Sequence, residues 1–297
     1  MQNKTKDLIV VHGATAVGKT ATAILLAQQL GCDIINCDSR QFYRQMRIGT
    51  AVPSPEELAL VTHHFIHDRS VDEPISSGGY ESEAMELLSK LFTTGDCAIV
   101  AGGSGLYAAA LTDGLDSLPK DDSLREELHQ IALEELQEEL QLLDPIYYTQ
   151  IDICNRRRVE RAVEVCRLTG KPYSALRTNS KKERPFNIIE IALEREREEL
   201  YQRIDLRVDM MIRQGLIEEA RSLIDYRALS ALQTVGYREL FDHFDGKTSL
   251  DEAITLIKRN SRRYAKRQMT WLRSREQIRY FAPSELDEIL SYIYTKN

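Results

Sequence analysis

Short apolar runs alternate along this chain with longer stretches in which apolar residues recur every three to four positions. Leu8-Ile9-Val10-Val11, Cys32-Asp33-Ile34-Ile35-Asn36-Cys37, Cys97-Ala98-Ile99-Val100-Ala101 and residues 186–193 read as strands. The unbroken apolarity of 97–101 is that of a strand covered on both faces of a parallel sheet. A helix runs from the first strand's turn to about residue 30, where Gly31 suits a left-handed C-cap. Residues 81–92 place Ala84, Leu87, Leu88 and Leu91 on one helical face, and a short helix fits within 54–69. Strands alternating with helices predict an α/β fold built on a parallel sheet.

The pattern changes near Leu118-Pro119. Residues 121–143 read as one long acidic helix with a solvated face (Glu126, Glu127, Glu134, Glu135, Glu138, Glu139), broken by Asp144-Pro145. A basic helix follows from Asn155-Arg156-Arg157-Arg158 and ends at Gly170-Lys171-Pro172. Residues 120–188 therefore predict a helical insertion into a core made of 1–119 and 189–297. After the strand at 186–193 come a charge-rich helical segment over 195–225, a compact turn and helix start over 233–240, and a last long helix over 250–275. That helix carries an apolar stripe of Ile254, Ile257, Tyr264, Ala265 and Leu272. Lys258, Arg259, Arg262, Arg263, Lys266 and Arg267 fill most of its remaining circumference, with no acid between 258 and 275.

The first strand runs into Gly13-Ala14-Thr15-Ala16-Val17-Gly18-Lys19-Thr20, the spacing G-x-x-x-x-G-K-T of a phosphate-binding loop, with a strand before it and a helix after it as that loop requires. Glycines at 13 and 18 let backbone N–H groups curl around an anion, and the helix aims its positive end at it. Lys19 adds a mobile cation, and the Thr20 hydroxyl suits a Mg²⁺ ion. The loop specifies phosphate or diphosphate and leaves the reaction open. Asp38 ends the second strand and should face the same cleft, since ligands collect at the carboxyl ends of parallel strands; it also suits an ordinary turn. The third long strand ends in Gly102-Gly103-Ser104 where a nucleoside triphosphatase would place a Mg²⁺-binding Asp, and offers instead two glycines and a hydroxyl with room for a ligand to approach closely.

Composition narrows the partners. The 297 residues are 42% hydrophobic and 29% charged, ordinary for a globular protein. No apolar run approaches the roughly 20 residues of a membrane span, and the first residues lead into a strand and not a secretion signal, so no membrane association and a cytoplasmic location are expected. The five cysteines lack a C-x-x-C pair and read as buried free thiols. His63, His64 and His67 lack the spaced carboxylate of a metal motif and read as structural or surface residues. The net charge of −7 argues against a polyanionic partner, but the basic helices argue for one, because phosphate contacts dominate nucleic-acid affinity.

Six stretches in order carry a resemblance: the phosphate loop, Asp38-Ser39-Arg40-Gln41-Phe42-Tyr43 with Ile48-Gly49-Thr50-Ala51, Gly102-Gly103-Ser104-Gly105-Leu106-Tyr107, Arg157-Arg158-Val159-Glu160-Arg161-Ala162-Val163-Glu164-Val165, Val235-Gly236-Tyr237-Arg238-Glu239-Leu240, and Arg267-Gln268-Met269-Thr270-Trp271-Leu272-Arg273. Together, over residues 8–275, they resemble the tRNA dimethylallyltransferases, the bacterial tRNA isopentenyltransferase family. The sequence departs from that pattern at Val17, where Ser is common, at Ser104, where Thr is usual, and at Asn155-Arg156, where Asp-Pro is common. The resemblance implies a P-loop kinase-like parallel core whose helical insertion grips the anticodon stem-loop of tRNA. It implies transfer of a dimethylallyl group from dimethylallyl diphosphate, with Mg²⁺, to N6 of the adenosine just 3′ of the anticodon (position 37).

On that reading Gly13 to Thr20 bind the diphosphate, Thr20 meets the metal, and Asp38 accepts the N6 proton, the removal of which makes a delocalised amine a better nucleophile. Lys19, Ser104 and Arg125 complete the catalytic set. The flipped adenosine and its RNA would meet Asp38, Ser39, Arg40, Gln41, Ser104, Arg125, Arg157, Arg158, Val159, Glu160, Arg161, Arg267, Gln268, Trp271 and Arg273. The protein is expected to act as a monomer. A small-molecule P-loop kinase, a prenyltransferase of free adenine nucleotides and a non-catalytic RNA-binding protein are the rivals; the first two leave the basic helices unexplained, and intact Lys19, Thr20 and Asp38 speak against the third.

Overall fold

The computed structural model describes residues 6–178, 180–275 and 277–296. They form two units, one of Met1–Thr112 with Arg184–Asn297 and one of Asp113–Glu183. In the first unit the elements are β1 (Asp7–Gly13), α1 (Lys19–Leu30), β2 (Ile34–Asn36), α2 (Pro55–Leu60), β3 (His63–His64), α3 (Ser77–Thr94), β4 (Cys97–Ala101) and α4 (Gly105–Thr112). The second unit holds α5 (Asp122–Gln130), α6 (Leu133–Leu143), α7 (Pro145–Gln150), α8 (Arg156–Thr169) and α9 (Tyr173–Leu176). The first unit resumes with β5 (Asn187–Leu193), α10 (Arg197–Arg213), α11 (Leu216–Ser222), α12 (Tyr237–Phe244), α13 (Leu250–Arg273), β6 (Arg279–Phe281) and α14 (Leu286–Lys296).

The six strands make one parallel sheet in the order β3-β2-β4-β1-β5-β6. β1 lies inside it, paired from Asp7 with Cys97 to Val11 with Ala101 on one side and from Asp7 with Asn187 to Gly13 with Leu193 on the other. Successive side chains leave opposite faces of a strand. Ile9 and Val11 accordingly enter one core with Ile24 and Leu26 of α1 and Ile289 and Ile293 of α14. Leu8 and Val10 enter another with Tyr80 and Leu88 of α3 and Val100. A third apolar cluster joins α10 to α13 through Val208, Leu216, Tyr237, Leu240 and Ile257. The expected P-loop-type α/β core is thus present. β6 and α14 extend it beyond the expected pattern; Ile289 and Ile293 anchor α14 on the α1 side.

Three expectations change. The acidic segment is two helices, because the guanidinium of Arg156 takes the carbonyls of Leu128, His129 and Ile131 and so closes α5 at residue 130. The insertion spans 113–183 and not 120–188: α4 ends at Thr112, and Arg184 is already fixed in the first unit by Glu81 and the Ala110 carbonyl. Of the free cysteines Cys37 and Cys166 are buried, but Cys154 is exposed, in the turn before α8. Asn155 caps α8 by accepting from the Arg158 N–H, and Gly170 closes it at φ 64°. Within the insertion, Leu128, Leu136, Leu140, Tyr147, Val159, Ala162 and Val163 form a core of their own. No helix among the described residues is long and apolar enough to cross a membrane.

Candidate active site

β1 delivers the chain to Gly13 and α1 receives it at Lys19, so the phosphate loop sits at the carboxyl edge of the sheet. Gly13 has φ 151°, and a Cβ there would stand 2.8 Å from Val17 Cγ1 and 3.0 Å from the Leu193 carbonyl. Val17 itself is buried in the core, so its missing hydroxyl is a matter of packing and not of ligand contact. Ala16 adopts φ 66° without being glycine, a conformation of the kind that persists where surrounding contacts fix it. Those contacts come from α10 and the residues before it. Arg203 Nε donates to the Ala16 carbonyl at 2.9 Å, Arg195 Nε to the Val17 carbonyl at 2.8 Å, and Arg207 Nη1 lies 3.5 Å from Thr15 Oγ1. Sequence reasoning missed these arginines. Their signal was the spacing of Arg203 and Arg207, one helical turn apart in a segment of mixed charge.

Lys19 folds back on its own loop, donating to the carbonyls of Gly13 at 3.0 Å and Ala14 at 2.8 Å. Burial lowers its pKa to about 8, with Asp38 pulling the other way and Arg207 reinforcing the drop. Burial likewise lowers the pKa of Arg207. A cluster of desolvated cations around the loop is what an incoming polyanion can neutralise.

Asp38 follows β2. Its N–H donates to Asn36 Oδ1 and its Oδ1 accepts from the Arg40 N–H at 3.0 Å. Asp38 is therefore a turn former through one oxygen, and a group facing the loop's cavity through its position. The two glycines after β4 exist for this approach. A Cβ on Gly103 would stand 2.7 Å from Asp38 Oδ2, and one on Gly102 would run into the Asp38 backbone N. Ser104 Oγ accepts from the Ser39 N–H and meets the Ser39 hydroxyl, both at 2.9 Å. The Gln41 side-chain amide donates to the carbonyls of Thr50 at 3.0 Å and Ala51 at 3.1 Å. Ser39, Ser104 and Gln41 thus hold the Asp38 turn in place.

Two cavities open here. One of about 410 Å³ is lined by Lys19, Thr20, Arg203 and Arg207 together with the apolar side chains of Ile34, Ile48, Val52 and Ile66. The other, of about 340 Å³, is lined by Ser39, Arg40, Val235, Arg238 and Arg267. Thr15, Asp38, Thr50, Ala51, Arg207, Met211 and Tyr264 belong to both walls, so the cavities meet at Asp38. Tyr264 is fixed there by its hydroxyl, 3.2 Å from the Gly103 carbonyl, and burial pushes its pKa up.

The basic helix α13 is less bare than its sequence. Lys258 pairs with Asp209 at 2.6 Å and Arg262 with Asp205, so α10 supplies the acids that α13 lacks beyond its first turn. Arg259, Arg263, Lys266, Arg267 and Arg273 remain exposed. Gln268 and Trp271, expected at the RNA, brace the site instead. Gln268 Oε1 accepts from the Thr15 N–H of the phosphate loop and its Nε2 donates to the Gly103 carbonyl, both at 2.8 Å. Trp271 packs on Gly105, where a Cβ would come within 2.7 Å of the indole, and its ring lies 5.7 Å from that of His12 and 5.2 Å from the Arg275 guanidinium. His12 and Arg275 both bind Glu190, which their hydrogen bonds hold down at about 2 against the effect of burial.

In the insertion, Arg125 and Arg161 both reach Glu164, which is 1% exposed, at 2.9 and 2.6 Å. Arg161 also donates to the carbonyls of Leu118 and Pro119. Val159 is core and Glu160 pairs with Arg156. Arg157 and Arg158 are exposed, and neither side chain has an ion pair among the described residues. Those two are the exposed cations on the first turn of α8. The expected histidine cluster resolves into structure, with His64 Nε2 on Asp33 at 2.8 Å in the edge strand.

Fold and site together define a phosphate-loop α/β protein that sets a carboxylate, and not a strand-end metal ligand, between the loop's own cavity and a second cavity lined by arginines. Residues 41–275 match the family model described as IPP transferase. The chain is 45% identical to tRNA dimethylallyltransferase 1 of Bacteroides thetaiotaomicron over 98% of its length and 96% of the relative's. It is 48% identical to tRNA dimethylallyltransferase of Christiangramia forsetii over 97% of its length and 98% of the relative's. Among solved structures it resembles the tRNA isopentenylpyrophosphate transferase of Bacillus halodurans, with a TM-score of 0.74 and 37% identity over 99% of this chain and 97% of that one. It also resembles a eukaryotic dimethylallyltransferase acting on tRNA, with a TM-score of 0.76 and 28% identity over 90% of this chain and 70% of that one. The chain belongs to the IPP transferase family, the tRNA dimethylallyltransferases. These relatives favour the tRNA-modifying transferase over the kinase and free-nucleotide readings.

Proposed function

We propose that the two cavities divide one reaction between them. Dimethylallyl diphosphate occupies the larger, its diphosphate on the loop amides, Lys19, Arg203 and Arg207, and its hydrocarbon tail among the apolar side chains. The adenine N6 of position 37, flipped from the anticodon loop, enters through the smaller, past Arg40, Arg238 and Arg267. The observation that carries this reading is the placement of Asp38 in the wall common to both. There N6 attacks the allylic carbon bonded to the diphosphate oxygen. The new C–N bond forms, the C–O bond breaks with its electron pair leaving on diphosphate, and the N6 proton passes to the Asp38 carboxylate. The buried cations and loop amides stabilise the charge that develops on the leaving group.

Mg²⁺ fits the donor set. Among the described residues no cluster of three His, Cys, Asp or Glu side chains could hold a metal alone. Thr20 lines the larger cavity, and Mg²⁺ commonly takes one or two protein ligands, waters and substrate phosphates. Thr20 would hold it, and when bound it would neutralise part of the diphosphate charge.

The test is radiolabel transfer from dimethylallyl diphosphate with Mg²⁺ to unmodified tRNA and, separately, to AMP. Label in tRNA alone supports the reading. Label in AMP, or no label in either, overturns it.

RNA binding divides the insertion's arginines. Replacing both Arg157 and Arg158 by Ala weakens tRNA binding and flattens the plot of log affinity against log salt by about one unit of slope per lost contact. Arg161→Ala lowers the melting temperature instead, because it strips a partner from buried Glu164. Salt-dependent filter binding and thermal unfolding separate the two effects.

A further inference from the structure

We infer that Glu219, at the start of α11, is a positioning residue for the Asp38 carboxylate, acting through a clasp on residues 47–49. This inference rests on the proposed role of Asp38. Four donors converge on the Glu219 carboxylate. Its Oε2 accepts from the backbone N–H of Arg47 at 3.0 Å and of Ile48 at 2.7 Å. Its Oε1 accepts from the Gly49 N–H at 2.9 Å and from the Tyr237 hydroxyl at 2.6 Å. Glu219 thus satisfies three consecutive backbone donors of a loop with no strand or helix partner of its own.

Gly49 completes the clasp sterically. A Cβ there would stand 2.6 Å from the Tyr237 ring and hydroxyl, so the loop can lie this close to α12 only as glycine. Tyr237 is fully buried, which gives the loop a rigid wall to lie on.

The loop leads directly to the reacting centre. Its next residues, Thr50 and Ala51, line both cavities. Their carbonyls take both donors of the Gln41 amide, and the Gln41 N–H in turn donates to the Asp38 carbonyl at 3.1 Å. The chain of contacts therefore runs from Glu219 and Tyr237, through 47–51 and Gln41, to the turn that carries Asp38. Each link from Glu219 onward is a hydrogen bond to backbone, which fixes main-chain position and not merely a rotamer. A base must sit within hydrogen-bond reach of the proton it removes, and a displacement of about 1 Å set up far from the chemistry can cost 10²-fold.

Glu219→Gln tests this with almost no change of shape. Whichever way the new amide turns, its NH₂ faces backbone N–H donors that had a carboxylate oxygen. The expected result is a single-turnover transfer rate lower by about 10-fold to 100-fold, with the dissociation constants of tRNA and dimethylallyl diphosphate unchanged. Added to Asp38→Asn, the same change should lower the rate no further, since a residue that works through Asp38 has nothing left to position. An unchanged rate in the single variant overturns the inference. So does a loss that multiplies with that of Asp38→Asn. Should Glu219→Gln fail to fold, Gln41→Met cuts the link between the Gln41 amide and the Thr50 and Ala51 carbonyls and leaves the clasp whole; it must show the same rate-only loss and the same silence on the Asp38→Asn background. Full activity of Asp38→Asn itself would instead overturn the general-base reading, a separate result from either.

Discussion

Asp38→Asn lowers the single-turnover rate of prenyl transfer by about 10²- to 10⁴-fold, the range over which a positioned general base contributes, and leaves tRNA affinity unchanged. The substitution is chosen because it preserves the turn. The Asn side chain keeps an oxygen for the Arg40 N–H, as Asp38 Oδ1 does now, so the backbone through Ser39 and Gln41 stays in place. What it removes is the proton acceptor in the wall shared by the two cavities. Asp38→Ala would remove both functions and confuse them. Equal losses of rate and RNA affinity in Asp38→Asn would assign the carboxylate to holding RNA. An unchanged rate would mean that N6 attacks without a protein base. The readout is label transfer with enzyme in excess over tRNA, so that product release does not mask the chemical step.

The strand ends at the site were legible because each is written in local sequence. The G-x-x-x-x-G-K-T spacing and an apolar strand before it fix where β1 ends, and an acid after a second apolar run fixes Asp38 at the same edge of a parallel sheet. Glycine at 102 and 103 was read as room for a ligand. The structure shows the room is taken by Asp38, whose backbone and carboxylate lie where side chains would be. The error lies in the identity of the neighbour, which local sequence does not encode.

The same distinction explains the basic residues. A run of arginines records charge but not what faces it. Arg161 and Arg125 look like RNA contacts until Glu164, buried beneath them, is seen to take both. Lys258 and Arg262 look unpaired until α10 brings Asp209 and Asp205 alongside, about fifty residues away in sequence. Trp271 and Gln268 sit in a cationic stretch yet turn inward, because Gly105 leaves a surface for the indole and Thr15 leaves an N–H for the amide. The arginines behind the phosphate loop were hidden for the opposite reason: each lies in a segment whose arginines and acids balance, and only the packing of α10 against the loop selects Arg203 and Arg207.

Lys19 yields the second large effect, and it carries a pH signature. Lys19→Met should lower kcat/KM for dimethylallyl diphosphate by about 10²- to 10³-fold, the scale on which removing one preorganised electrostatic contact acts, while tRNA binding in the absence of donor stays as it was. In the unmodified enzyme the same side chain should set an alkaline limb. Burial holds its pKa at about 8, below the ordinary lysine value of 10.5, so the ammonium is complete below that pH and is lost as pH rises through it. kcat/KM, which reports the free enzyme, should therefore fall above about pH 8. The limb in kcat should lie higher, because a bound diphosphate beside the ammonium favours its charged form. Lys19→Met should flatten the limb in kcat/KM. Persistence of that limb in the variant would assign it to another group; a limb at the same pH in kcat as in kcat/KM would mean that Lys19 does not touch the diphosphate.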